Sequence, residues 1–122
     1  MQMRGKKIHS ITAACKINDR IFSSLLSRLR AKKLKSEKEV SRFIGAEIKK
    51  AGASKAFPTI VAIGKNAVDW HHRPANAKLA DGGFCVIDFG ARVNGYCSDM
   101  TRTIFFGKAS AKEKRIYGKV RD

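Results

Sequence analysis

Apolar positions in the first part of the chain recur at helical spacing. Ile8, Ile11, Cys15, Phe22, Leu25, Leu26 and Leu29 form one stripe, with Asn18 as its polar interruption. This period predicts an amphipathic helix with its apolar side toward a core. Arg30 to Lys35 is a basic connection. Ser36-Glu37-Lys38-Glu39 then fits a capping box, with Ser36 as N-cap and Glu39 at the third helical position. Val40, Phe43, Ile44 and Ile48 make the apolar stripe of a second helix, and Gly52 supplies its stop. Neither helix carries a pattern that points to chemistry.

From residue 57 the period changes from helical to alternating. Phe57-Pro58 leads into a short strand, Thr59 to Ile63, ended by Gly64, and residues 65–83 are rich in loop formers. Two β-rich runs follow, Phe84 to Val93 and Tyr96 to Phe106, separated by Asn94-Gly95. That dipeptide predicts a two-residue hairpin, which pairs Val93 with Tyr96, Gly90 with Asp99 and Asp88 with Thr101. One face of the ribbon then carries Ile87, Phe89, Ala91, Val93, Tyr96, Met100 and Ile104, with Arg102 as the exception. Ser110-Ala111-Lys112-Glu113 is a second capping box and predicts a helix through Ile116, Tyr117 and Val120. The expected organisation is α/β (α+β): a helical segment 1–56, a sheet segment 57–109 and a C-terminal helix 110–122.

The predicted register makes Asp88 and Asp99 diagonal neighbours on one face, roughly 7–8 Å apart at the backbone, so their carboxylates can meet. A slip by one residue would separate them. Like charges converging on an apolar ribbon repel and resist desolvation, and a cation between them removes both costs. The residues alone leave two readings, a metal-holding pair or two solvated, hydrogen-bonded carboxylates. Thr101, Thr103 and Cys97 fall on the same predicted face. The threonine hydroxyls are candidates to support the aspartates, or simply β-branched strand residues, and Cys97 is expected to be a buried bystander thiol.

Composition adds one unusual feature, a formal net charge of +16 over 122 residues. Residues 1–56 hold 15 Lys/Arg against 4 Asp/Glu, a surplus of 11; residues 57–122 hold 11 against 6, a surplus of 5. A polyanion partner such as nucleic acid is one reading of this charge. A solvated basic surface is the favoured one, because no nucleic-acid motif and few aromatics accompany it. The length suits one domain. No apolar run approaches membrane-spanning length and no signal core follows the basic start, so a cytoplasmic chain without membrane contact is expected. Cys15, Cys85 and Cys97 lack metal-finger spacing and are expected to be free thiols.

Five blocks occur in order between residues 57 and 107: Phe57-Pro58-Thr59-Ile60-Val61-Ala62; His71-His72-Arg73-Pro74; Lys78-Leu79 with Gly82; Ile87-Asp88-Phe89-Gly90-Ala91; and Asn94-Gly95-Tyr96-Cys97-Ser98-Asp99-Met100-Thr101-Arg102-Thr103. Together they resemble the Xaa-Pro peptidases, the prolidase and aminopeptidase P branch of the pita-bread metallopeptidases. The resemblance implies a hydrolase that cleaves peptides with proline at the second position, using two divalent metal ions (manganese, cobalt or zinc). It implies Asp88 and Asp99 as metal ligands, His71 as the catalytic histidine that contacts substrate near the scissile bond, and His72 as a second substrate-binding residue. Thr101 and Thr103 become supports for the ligands.

The chain departs from that pattern in three places. Gly83 stands where an aspartate is usual, and Trp70 where a proline or small residue is usual. The family also takes a histidine and two glutamates from a second half, whereas the 19 residues after Thr103 hold no histidine and one glutamate, Glu113. The expectation is therefore a partial pita-bread fold, two N-terminal helices on a curved, mainly antiparallel sheet with a C-terminal helix, inactive alone. A homodimer or a complementing C-terminal half would be its partner. The alternative is a non-catalytic pita-bread binding protein that uses its basic surface for RNA, ribosome or another polyanion.

Overall fold

The computed structural model describes residues 2–69 and 72–107. Helix α1 spans Gln2–Arg30 and α2 spans Glu37–Lys50. Strands β1 (Ser54–Lys55), β2 (Ile60–Ile63), β3 (Gly83–Phe89), β4 (Ala91–Val93), β5 (Tyr96–Cys97) and β6 (Met100–Phe106) follow. Short 3-10 turns occupy Gly64–Val68 and Leu79–Asp81. The strands form two antiparallel three-stranded sheets, ordered β1-β4-β5 and β2-β3-β6. The C-terminal helix expected over 110–122 lies outside the described residues.

Both helix ends follow from local chemistry. Ser36 caps α2, its hydroxyl accepting from the Glu39 amide at 3.2 Å. Glu39 reaches back to the amide of Lys35 at 3.2 Å, not to that of Ser36, so the capping box is closed one residue early. Ser36 itself is engaged in an isolated bridge with Lys78. At the other end Gly52, with φ 77°, donates to Lys49, and Ala53 donates to Ile48. Helix α1 ends in the same motif: Lys32 donates to Leu29 and Lys33 to Arg28. There the left-handed position is filled by Lys32, φ 57°, where glycine is usual.

The core lies between the two helices and the β2-β3-β6 sheet. Ile21 and Leu25 of α1, Val40, Ile44 and Ile48 of α2, Val61 and Ile63 of β2, and Cys85, Ile87 and Phe89 of β3 are buried in one cluster. The stripe on α1 is rotated from the expected one in its first half. Ile8 is 58% exposed and Cys15 is exposed, while Ser10, Ala14 and Asn18 are buried. This part of α1 packs on β4 and β5. Ser10 there accepts a hydrogen bond from Asn94 Nδ2 at 3.1 Å, tying the hairpin tip to the helix.

The expected single curved sheet is one hairpin shared by two sheets. Its register is unbroken, with Val93 opposite Tyr96 in one sheet and Asp88 opposite Thr101 in the other. Asn94 and Gly95 both have positive φ, 52° and 81°, as the tight turn requires. The bend falls at Gly90, which lies in neither sheet. A Cβ there would stand 2.0 Å from the Ser98 carbonyl oxygen. Ser98, buried, holds the bend by donating its amide to the Ala91 carbonyl at 2.9 Å. Arg102, the charged residue on the apolar face, is exposed and carries its guanidinium 5.8 Å from the centre of the Phe22 ring.

Candidate metal centre

The site is built on the two strands that meet at the bend. Asp88 is the penultimate residue of β3, and Asp99 immediately precedes β6. Ile60 on β2 and Thr101 on β6 flank Asp88 directly. Ile87 and Phe89 on either side of Asp88 are fully buried on the core face, which turns the Asp88 side chain to the opposite face. That face also carries Val86, Phe84, Thr103 and Phe105, all half-buried, with Phe84 and Phe105 packed edge to face at 4.9 Å. Asp99 is exposed.

The two carboxylates meet as the register requires. Burial first, and then Asp99 beside it by hydrogen bonding and by charge, raise the Asp88 carboxyl from 3.8 to about 6, against a hydrogen bond with Thr101 that pulls it down. One carboxylate oxygen, Asp88 Oδ1, is buried with no hydrogen-bond partner. A buried acceptor left bare beside a second carboxylate suits a cation, and an all-oxygen pair suits a hard or borderline divalent ion. Among the described residues no third His, Cys, Asp or Glu joins the pair.

The remaining candidates separate. Thr101 hydrogen-bonds Asp88. Thr103 is half-buried two residues further along the same face. His71 lies outside the described residues. His72 does not join the aspartates. Its Nε2 lies 2.8 Å from Glu37 Oε1, at the start of α2. Cys97, expected to be buried, is exposed, because it lies in the short β5 strand opposite the exposed Arg92. Cys85 is the buried thiol; burial first, and then the charge of Glu37, push it up to about 12, which leaves it protonated and unreactive.

Glu37 had no place among the sequence candidates. It is fully buried, and its carboxylate accepts from the Ile63 amide at 2.8 Å, Asn66 Nδ2 at 3.1 Å and the Ala75 amide at 3.0 Å, besides His72. Burial alone would raise its pKa; the hydrogen bonds, that of His72 foremost, outweigh it and hold the carboxyl below its ordinary value. The signal was the stripe Val40, Ile44, Ile48, which three residues earlier lands on Glu37. An acidic residue in a first helical turn is common enough to hide it. Two open cavities among the described residues, about 220 and 320 Å³, lie elsewhere, between α1 and α2, lined by Arg20, Ser24, Arg28, Lys33, Glu47 and Lys50 among others.

Residues 9–122 match the model of metallopeptidase family M24. The chain is 38% identical over 119 residues to a Mycoplasma genitalium protein named, provisionally, an Xaa-Pro aminopeptidase, covering 95% of this chain and 33% of that protein. It is 34% identical over 113 residues to the Xaa-Pro dipeptidase of Pyrococcus furiosus, covering 92% of this chain and 32% of that one. The crystal structure of a prolidase from Thermococcus sibiricus superimposes with a TM-score of 0.86 at 36% identity, over 96% of this chain and 32% of that chain. The architecture is thus part of a pita-bread fold, and the chain spans about a third of the length of the relatives it matches. It belongs to metallopeptidase family M24, on the side of the Xaa-Pro aminopeptidases and prolidases.

Proposed function

We propose that this chain carries the first part of a metal-dependent active site that hydrolyses peptides with proline at the second position. Asp88 and Asp99 are its metal ligands, with manganese the first ion to test, and Thr101 and Thr103 support them. A divalent ion held there supplies Lewis acidity toward a peptide carbonyl. His71, in the histidine pair, is the residue that contacts the substrate near the scissile bond.

One observation carries the reading: the hairpin brings two carboxylates together beside a buried, unpartnered oxygen, Asp88 Oδ1. A fold without use for a cation gains nothing from that arrangement, since drawing one carboxylate out of water beside a second destabilises it. Two carboxylates make a weak site, and the remaining ligands of the family pattern, a histidine and two glutamates, are to be supplied by sequence beyond the Asp99 strand or by a complementing polypeptide. The 122-residue chain alone is accordingly expected to show little or no peptidase activity.

Isothermal calorimetry with manganese chloride near neutral pH tests the metal claim. The parent is expected to bind weakly with measurable heat, and Asp88→Asn and Asp99→Asn to lose it. A parent that binds no manganese, or an Asp88→Asn variant that binds as well as the parent, would refute the reading.

A further inference from the structure

The segment from Ile63 to Ala77 crosses from the end of β2 to the start of the second 3-10 turn and carries the histidine pair. Four of its described residues meet at one buried carboxylate. Glu37 Oε2 accepts from the Ile63 amide and from Asn66; Oε1 accepts from the Ala75 amide and contacts the His72 ring. Two backbone bonds reinforce the attachment, Glu37 donating to Ala77 and Lys38 to Ala75. Four donors from one loop thus converge on one buried carboxylate at the N-terminal end of α2.

We propose that Glu37 is a positioning residue for the loop that bears the histidine pair, and that His72 is the side chain through which it acts. This rests on the reading that the pair serves the peptidase site. The chemistry at Glu37 fixes more than distance. A carboxylate taking two hydrogen bonds on each oxygen is ionised and only accepts, so His72 Nε2 carries the proton and donates it. When the ring is neutral, Nδ1 is then the bare nitrogen. One ring orientation and one tautomer are selected together, as a carboxylate does for a histidine in many metal sites. Ile63, the strand residue Glu37 holds, is three residues along β2 from Ile60, the partner of Asp88. At about 3.3 Å per residue this puts the attachment point about 10 Å along the sheet from the carboxylate pair. The same sheet therefore holds the metal ligands and the root of the histidine loop, and Glu37 sets the second relative to the first.

The test uses the 122-residue chain labelled with 15N-histidine, with exposed His9 on α1 as internal reference. In the parent, long-range proton–nitrogen spectra are expected to show His72 as a single tautomer protonated at Nε2. In Glu37→Gln the amide NH2 must face one of the two donor pairs, so either His72 loses its preference and the Ala75 amide its acceptor, or the Ile63 amide loses its acceptor. The amide that loses its acceptor then exchanges more than roughly tenfold faster. His72→Phe keeps three of the four donors and tests the loop if Glu37→Gln fails to fold. With manganese as a paramagnetic probe, broadening of the His71 ring seen in the parent is expected to fall by half or more in His72→Phe, with His9 unchanged.

A parent His72 protonated at Nδ1 or exchanging between tautomers overturns the proposal. So does His71 broadening that His72→Phe leaves untouched. A parent in which manganese broadens no histidine refutes the metal reading instead, and the tautomer measurement alone then decides the role of Glu37.

Discussion

Replacing Gly90 by alanine probes the fold and the site at once. The new Cβ would stand 2.0 Å from the Ser98 carbonyl oxygen, 2.9 Å from Phe57 Cε1 and 3.1 Å from the Ala56 Cβ. Real Cβ atoms essentially never approach within 3.0 Å, so the strands must part by at least 1 Å. The nearest atom is backbone and has no rotamer with which to yield. Overpacking of this kind costs about 1–3 kcal/mol. The separation also strains the Ser98–Ala91 bond at 2.9 Å and the Ala56–Gly90 bond at 3.0 Å, each contributing about 1 kcal/mol. A total of about 3–5 kcal/mol follows. Gly90 pairs with Asp99 in the continuous register and is two residues from Asp88, so the same displacement pulls the carboxylates apart. Urea unfolding of three glycine variants supplies the measurement. Gly95→Ala meets nothing within 4 Å but has φ +81°, and is expected to cost about 1–2 kcal/mol for the left-handed backbone alone. Gly5→Ala, in α1 with open space around it, is expected to stabilise by about 0.5 kcal/mol. Gly90→Ala losing no more stability than Gly95→Ala, or keeping parental manganese affinity, would show the reasoning to be wrong.

Glu37→Ala leaves the buried Ile63 amide, the Ala75 amide and the His72 ring without their acceptor, and is expected to destabilise by about 3–5 kcal/mol, from donors left unsatisfied at about 1–3 kcal/mol each; chemical denaturation showing under 1 kcal/mol would contradict the network. The pH dependence at Asp88 has a defined sign. Its folded pKa, about 6, lies above its ordinary 3.8, so the native state binds the proton more tightly and this contribution is fully present below about pH 4 and lost as pH rises through 6. In metal-free buffer, Asp88→Asn should therefore gain on the parent between about pH 4 and pH 7.5, by up to about 3 kcal/mol. A stability difference that does not change with pH would sink the claim, and added manganese should stabilise only the parent. Lys32→Gly relieves a left-handed lysine at the end of α1 and is expected to stabilise by about 0.5–1 kcal/mol in thermal melts; a destabilised variant would mean that the Lys32 side chain contributes more than its backbone costs.

The hairpin was legible from local chemistry. Asn94-Gly95 fixes a turn type, the turn type fixes the register, and the register puts Asp88 and Asp99 on one face, because side chains alternate strictly along a strand. The α2 cap and stop were legible for the same reason: they depend on residues within one turn of each other. Other features arise only when distant segments meet. The division of the ribbon between two sheets depends on Ser98 and Phe57 closing on Gly90, and the rotation of α1 on how closely Ser10 and Ala14 let it approach β4 and β5. Glu37 reads as a helix-start residue until a loop 26 to 38 positions away folds back to fill both its oxygens. Burial turns the same glutamate from a solvated charge into the point on which the histidine loop hangs, and burial is a property of the packed chain, not of the residue.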